Sequence, residues 1–141
     1  MKKYINFAIF YFVLAMISGV FYREFTKHMN FTADTSLSTL HVHLMVLGML
    51  VFILLIILNK LFNLEQYKKM KWFMITYNLG LLMLVATLTA RGIVQVKEIS
   101  LSSAANSSLS GVAGISHIIL AIGLLILLLA IRKAVINDSK Q

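Results

Sequence analysis

Four long apolar stretches constrain this chain more than any other feature, because each is long enough to cross a lipid bilayer. A helix spans the hydrocarbon core with about 20 predominantly apolar residues. Hydrophobic residues make up 60% of a chain of 141, more than a soluble domain of this size can bury. The sequence therefore predicts an all-α integral membrane protein, a single domain over residues 1–141 folded as an antiparallel four-helix transmembrane bundle. The predicted spans are 4–22, 40–58, 72–94 and 112–131.

The cationic residues are divided unevenly between the two sides of this predicted bundle. Nine of the thirteen Lys and Arg lie at the N-terminus, in the second loop and at the C-terminus, and four lie in the first and third loops. Because cytoplasmic loops carry the excess of Lys and Arg, the pattern predicts a plasma-membrane protein with both termini in the cytoplasm. Loops of this kind and their contacts with anionic lipid account for the net charge of +8, so nucleic-acid binding is not expected.

The chain lacks the parts that most enzymes need. It has no Cys, which excludes thiolate metal sites, disulfides and cysteine nucleophiles. Its five acidic residues all fall in predicted loops or in the tail, without the pairing that acid–base catalysis requires. No glycine-rich phosphate loop or nucleophile motif is present. The sequence therefore favours a non-enzymatic role, and its serine-rich segment at 100–110 is predicted to be a solvated connection.

Three histidines lie inside the predicted spans, where an ionisable side chain is costly and usually faces the protein interior. Counted from the cations Lys60 and Arg132 at about 1.5 Å per residue, His41, His43 and His117 lie at heights of about 28, 25 and 22 Å. A single membrane histidine is more often an interhelical hydrogen-bond partner than a ligand. Three histidines at one depth, on two non-adjacent spans, instead predict a shared ligand in the outer half of the membrane.

Two arginines are predicted just above this histidine layer. Arg23 and Arg91 each lie 20 residues from a cytoplasmic lysine, which places them at a height of about 30 Å. Imidazoles below guanidinium groups suit heme b, whose iron takes the imidazoles and whose propionates take the guanidinium groups. The alternative for both arginines is that they extend to the lipid headgroups, as arginines near helix ends commonly do.

The spacing of the first two histidines restricts which of them shares an iron with the fourth span. Residues two apart on a helix project about 200° from each other, so His41 and His43 cannot serve one heme face together. Gly48 lies on the same face as His41, and small residues surround His117, so a flat ligand could approach both. This favours His41 and His117 as the axial pair, with His43 as the alternative ligand. In that case His43 would lie at a subunit interface or reach a second site, and the interface is the main reason to predict a homo-oligomer.

Two segments of the chain carry a resemblance to a known group of proteins. The string Thr-Leu-His-Val-His-Leu-Met-Val-Leu-Gly-Met at 39–49 resembles the His-x-His-Leu-x-x-x-Gly helix of small membrane proteins related to the catalytic subunit of heme-copper oxidases. The segment at 114–123, which contains His117, is similar to the partner helix in the same group. The chain thus looks like a member of a small four-span family of unknown function.

This resemblance implies a fold, a cofactor and an assembly. It implies heme b bound by His41 or His43 together with His117, on a bundle that matches one arc of the oxidase subunit. Since the large subunit arranges its helices in three arcs of four, the resemblance also implies a trimer. The chain has no further histidine set for a copper centre and no carboxylate within its spans, so oxygen reduction and proton pumping are not expected.

Several alternatives stay open from the sequence. Electron transfer, heme handling and gas or redox sensing all fit a membrane heme site, and Met45 is a further candidate for an axial position. A second class is a Cu or Zn protein without porphyrin, in which His28 from the first external loop adds a ligand. A third class is a structural small membrane subunit, whose histidines form hydrogen bonds between helices.

Overall fold

The computed structural model describes residues 1–138, which contain four long helices and no strand. Helix α1 covers Lys2–His28 and α2 covers Leu37–Phe62. Helix α3 covers Lys69–Val96 and α4 covers Ser103–Asp138. A short 3-10 turn at Leu64–Gln66 lies between α2 and α3.

Each of the four helices is long and apolar enough to cross a membrane, which confirms the predicted all-α architecture and its four candidate spans. Within their most apolar windows only 28–33% of the residues are buried inside the protein. Many large apolar side chains are exposed, as expected for a multi-pass membrane protein whose solvent is lipid. Helix α4 begins at Ser103, so most of the serine-rich segment predicted to be a connection is helical.

Helix α2 lies between α1 and α3, and α4 packs along α3. Glycines mark the closest approaches, because a missing side chain lets two helix backbones come together. A Cβ atom built at Gly80 of α3 would lie 2.6 Å from the backbone nitrogen of Leu120 in α4. One built at Gly123 of α4 would lie 2.9 Å from the Cα atom of Tyr77 in α3. These two glycines hold α3 and α4 at backbone distance.

Two buried tyrosines connect the three helices around the middle of α2. The Tyr11 hydroxyl of α1 donates to Oδ1 of Asn78 in α3 at 2.6 Å, and the Tyr77 hydroxyl donates to the carbonyl oxygen of Leu47 at 2.7 Å. Leu47 lies in a π-helical stretch, Leu44–Leu50, that interrupts the α-helical geometry of α2. Such stretches are rare and occur frequently at functional sites. These hydrogen bonds were not predicted from the sequence. The features that could have indicated them are the tyrosines within apolar spans and the small residue Gly48 on α2.

The loop that joins α2 to α3 is tied to the beginning of α1. Asn63 ends α2 in the left-handed conformation with φ 47°, and Oδ1 of Asn59 accepts a bond from the Glu65 backbone. Oε1 of Glu65 lies 3.0 Å from the amino group of Met1 and 3.3 Å from Nζ of Lys3. The last turns of α4 reach the same place, which we call the basic end: the beginning of α1, residues 63–71 and residues 132–137.

Candidate functional site

His43 and His117 have the same local geometry on two different helices. Nδ1 of His43 lies 2.8 Å from the carbonyl oxygen of Thr39, and Nδ1 of His117 lies 2.8 Å from that of Ala113. A carbonyl oxygen only accepts, so Nδ1 is the donor in both rings, and in the neutral imidazole the lone pair is then on Nε2. Metal-binding histidines commonly donate their other ring nitrogen to a backbone carbonyl in this way. In this orientation each ring could offer Nε2 to a ligand outside its own helix.

His41 has a different environment from the other two histidines. A Cβ atom built at Gly19 of α1 would lie 3.7 Å from Cβ of His41, so this side chain is in contact with α1. Its Nδ1 atom is buried and has no hydrogen-bond partner among the residues that the structure describes. Gly48, which the sequence analysis placed beside a porphyrin, packs against Tyr11 of α1. The face of α2 that carries His41 is thus occupied by α1.

The flanks that carry His43 and His117 both border α3. Leu47, one turn after His43 on the same face of α2, is the residue whose carbonyl accepts the Tyr77 hydroxyl of α3. Ser110, two turns before His117 on the same face of α4, accepts a hydrogen bond from Arg91 of α3. Helix α3 therefore contacts α2 one turn from His43 and α4 two turns from His117.

Arg91 joins α3 to the outer turns of α4 through two neutral acceptors. Its Nη1 atom donates to Oδ1 of Asn106 at 2.5 Å, and its Nη2 atom donates to Oγ of Ser110 at 2.6 Å. No carboxylate pairs with this guanidinium group within residues 1–138. Its charge is held in place without being neutralised, which leaves it available to an anionic group.

Arg23 is placed differently from Arg91. Its Nε atom lies 3.8 Å from Oε1 of Glu24, and the two side chains are 80% and 61% exposed. An exposed pair at this distance contributes little to stability. The position matches the alternative reading, in which the side chain extends toward the lipid headgroups.

The surface of α4 beside His117 is open. Cβ atoms built at Gly111 or Gly114 would meet no atom within 4 Å, and the His117 side chain is exposed. A flat ligand could lie against this face without displacing a neighbour. The donor chemistry also fits heme, because each histidine offers one neutral imidazole nitrogen.

A bare metal centre lacks a comparable donor set. In the described part of the chain no three His, Asp or Glu side chains gather where an ion could bind. His28, proposed above as an additional Cu or Zn ligand, is the last residue of α1 and is exposed. Protein-bound Zn takes three or four protein ligands, whereas porphyrin supplies four of its own and leaves two axial positions.

Comparison with known proteins identifies a family but no characterised relative. A family model described as "Protein of unknown function (DUF2871)" matches residues 1–134. No curated protein and no solved structure matches the chain. The relation to heme-copper oxidases that the resemblance implies stays a prediction.

Proposed function

Since the chain belongs to the DUF2871 family, whose function is unknown, we propose its role from its own residues: it is a membrane protein that binds heme b through His43 and His117. The observation that carries the proposal is the matched pair of Nδ1 hydrogen bonds, which leaves both Nε2 atoms free. Two imidazole ligands saturate the iron, so electron transfer is favoured over gas binding.

The depth of His43 supports this choice of ligand. Helices α2 and α3 meet at Leu37 with Gly92 and at Leu47 with Tyr77, an order that supports opposite chain directions. His43 lies between these two contacts, and it is level with residue 86 of α3 when counted from Leu37 and with residue 81 when counted from Leu47.

The depth of His117 follows from the contacts between α3 and α4. Gly80 meets Leu120 and Tyr77 meets Gly123, which again supports an antiparallel arrangement. His117 is three residues before Leu120, so it lies level with residue 83 of α3. By either count the two histidines differ in depth by no more than three residues, or about 4.5 Å, which supports a ligand shared between them.

His41 is the less suitable partner for His117. It contacts α1, whereas His117 lies on the helix that packs against α3. His43 replaces His41 in the proposed axial pair for this reason. Its Cβ atom packs beside Gly19 of α1, so a packing role suits His41 better.

Arg91 is the residue that we propose for a heme propionate. Its contact at Ser110 lies seven residues, or about 10 Å along α4, from His117. A carboxylate there would receive a charge-assisted hydrogen bond from a guanidinium group that Asn106 already orients. Arg23 is not needed for this site.

The proposed setting is the plasma membrane with both termini in the cytoplasm and several copies assembled together. The basic end carries most of the cations, which supports a cytoplasmic location for it. The open face of α4 at Gly111, Gly114 and His117 leaves one side of the ligand uncovered by its own chain. A second copy of the chain would cover it, and the trimer implied by the resemblance is one such assembly.

A structural small subunit is the main alternative, and the histidine bonds argue against it. Hydrogen bonds between helices were the expected role of membrane histidines in that case, yet His43 and His117 donate to their own helices. A Cu or Zn protein would need ligands from more than one copy of the chain.

An absorbance spectrum of the protein purified from cells supplied with heme precursor tests the proposal. We expect a reduced-minus-oxidised b-type signal, a pyridine hemochrome assay with one heme per chain, and loss of most heme in His117→Ala. Stoichiometric Cu or Zn without that signal would favour the second function class. If the folded protein contains neither heme nor metal, the structural role would be the remaining function class.

A further inference from the structure

A small basic cavity lies at the basic end, between the first residue of α3 and the last turns of α4. It has a volume of about 220 Å³, and its cationic lining comes from Lys69, Arg132 and Lys133. Leu129 and Ile136 form apolar walls beside these charges. Neither the heme proposal nor the family assignment accounts for it.

Among the side chains that the structure describes, no carboxylate neutralises the charges of this cavity. No Asp or Glu is among the residues that the structure describes in its lining. Lys133 is oriented by Tyr67, whose ring centroid lies 5.7 Å from Nζ, while no ion pair within residues 1–138 involves Lys69 or Arg132. Three exposed cations from two helices thus line one open space, and their combined charge attracts an anion.

A second cavity at the basic end differs from the small one because its lining includes a carboxylate. It is larger, about 640 Å³, and also has lysines in its lining, but it contains Glu65. That carboxylate already pairs with Lys3 and with the amino group of Met1. The smaller cavity therefore has the stronger attraction for an anion.

The surface next to the small cavity is apolar and faces outward. Leu125 and Leu128, one to two turns before Arg132 on α4, are 56% and 60% exposed. A ligand with one or more phosphates and hydrocarbon chains would place the phosphate between Lys69 and Arg132 and its chains along these leucines. Arg binds phosphate with two parallel N–H donors, and basic pockets between membrane helices suit anionic headgroups.

We propose that the cavity lined by Lys69, Arg132 and Lys133 is a specific binding site for the headgroup of an anionic phospholipid. This inference depends on the chain spanning a membrane and not on heme binding. A free phosphate compound shares the headgroup chemistry, but it gains nothing from the exposed leucines, so a lipid is the better match.

Native mass spectrometry of the full-length protein in mild detergent tests the site, with phosphatidylglycerol and phosphatidylcholine as the lipids. The variant Lys69→Gln/Arg132→Gln removes two charges from the cavity. Its matched control, Lys2→Gln/Lys60→Gln, removes two exposed charges that lie outside the cavity. At about fivefold per cation, the cavity variant should bind phosphatidylglycerol about 25-fold more weakly, while the control stays near wild type.

Three results would overturn the proposal. Equal weakening in both variants would mean that only the overall charge matters, and equal binding of phosphatidylcholine would remove the role of the cations. Displacement of the lipid by millimolar inorganic phosphate would assign the site to a free anion. The heme content of the cavity variant, measured in the same samples, should be unchanged, which separates this site from the histidine site.

Discussion

The Nη2 atom of Arg91 donates a 2.6 Å hydrogen bond to Oγ of Ser110, which ties the outer part of α3 to the face of α4 that carries His117. This contact places an unneutralised guanidinium group two turns from the imidazole. A cation fixed two turns from an imidazole is the arrangement that the proposed heme, with its anionic propionates, would require.

Substitution of Arg91 tests whether that cation retains heme. Arg91→Ala should release heme to apomyoglobin about tenfold faster than wild type, because a hydrogen bond to a charged group contributes about 1.5–3 kcal/mol and only part of it is lost. The b-type spectrum should remain, since the iron ligands are untouched. The control is Arg23→Ala, which should release heme at the wild-type rate. Equal acceleration in both variants would show that the effect does not come from a specific contact.

The choice between the two histidines of α2 gives the second prediction. His43→Ala should lose heme to the same extent as His117→Ala, because each removes one of two iron ligands. His41→Ala should keep its heme and its spectrum, since the ring contacts α1 instead. Pyridine hemochrome quantitation of the three variants is the measurement. If His41→Ala loses heme and His43→Ala keeps it, the iron ligands would be His41 and His117, the pair favoured by the sequence.

The glycine contact between α3 and α4 gives the third prediction. Gly80→Ala places a methyl group where the Leu120 backbone lies, so the thermal midpoint in detergent should fall by an amount equivalent to about 1–3 kcal/mol. Gly114→Ala is the matched comparison: in the heme-free monomer no atom of its own chain meets the added methyl group, so the better helix propensity of alanine should leave stability equal or higher. Destabilisation by Gly114→Ala would indicate that another copy of the chain covers that face.

Glu65 at the basic end gives a pH-dependent prediction. The amino group of Met1, which donates a hydrogen bond, and then Lys3 hold the pKa of Glu65 below its ordinary value. The carboxylate therefore stabilises the fold at pH values above its unfolded pKa of about 4.3, and this contribution is lost as the pH falls through the lower folded pKa. Wild type should melt above Glu65→Gln at pH 7, and the difference should shrink below pH 4. A difference that persists at pH 3 would contradict the ion pair as its cause.

The helices themselves could be predicted from the sequence because their signal is local. Runs of about 20 apolar residues between clusters of Lys and Arg suffice to locate the four helices, whose cores coincide with the predicted spans. The common depth of His43 and His117 is also local information, since it follows from counting residues at a constant rise. The start of α4 was predicted too late, because serine and asparagine favour caps and turns without excluding a helix.

The order in which the helices pack depends on contacts between residues far apart in the chain, and this order assigns the histidines to different neighbours. The pattern His-x-His requires that His41 and His43 face different ways. It does not determine which of the two is on the side of α2 that faces α3. Gly19 receives His41 against α1, and the Tyr77 bond to Leu47 aligns the other flank with α3. Helix periodicity depends only on residues that are close in the chain. Which helix packs against each side of α2 and α4 depends instead on the close approaches at Gly80, Gly92 and Gly123, and no periodic pattern predicts these.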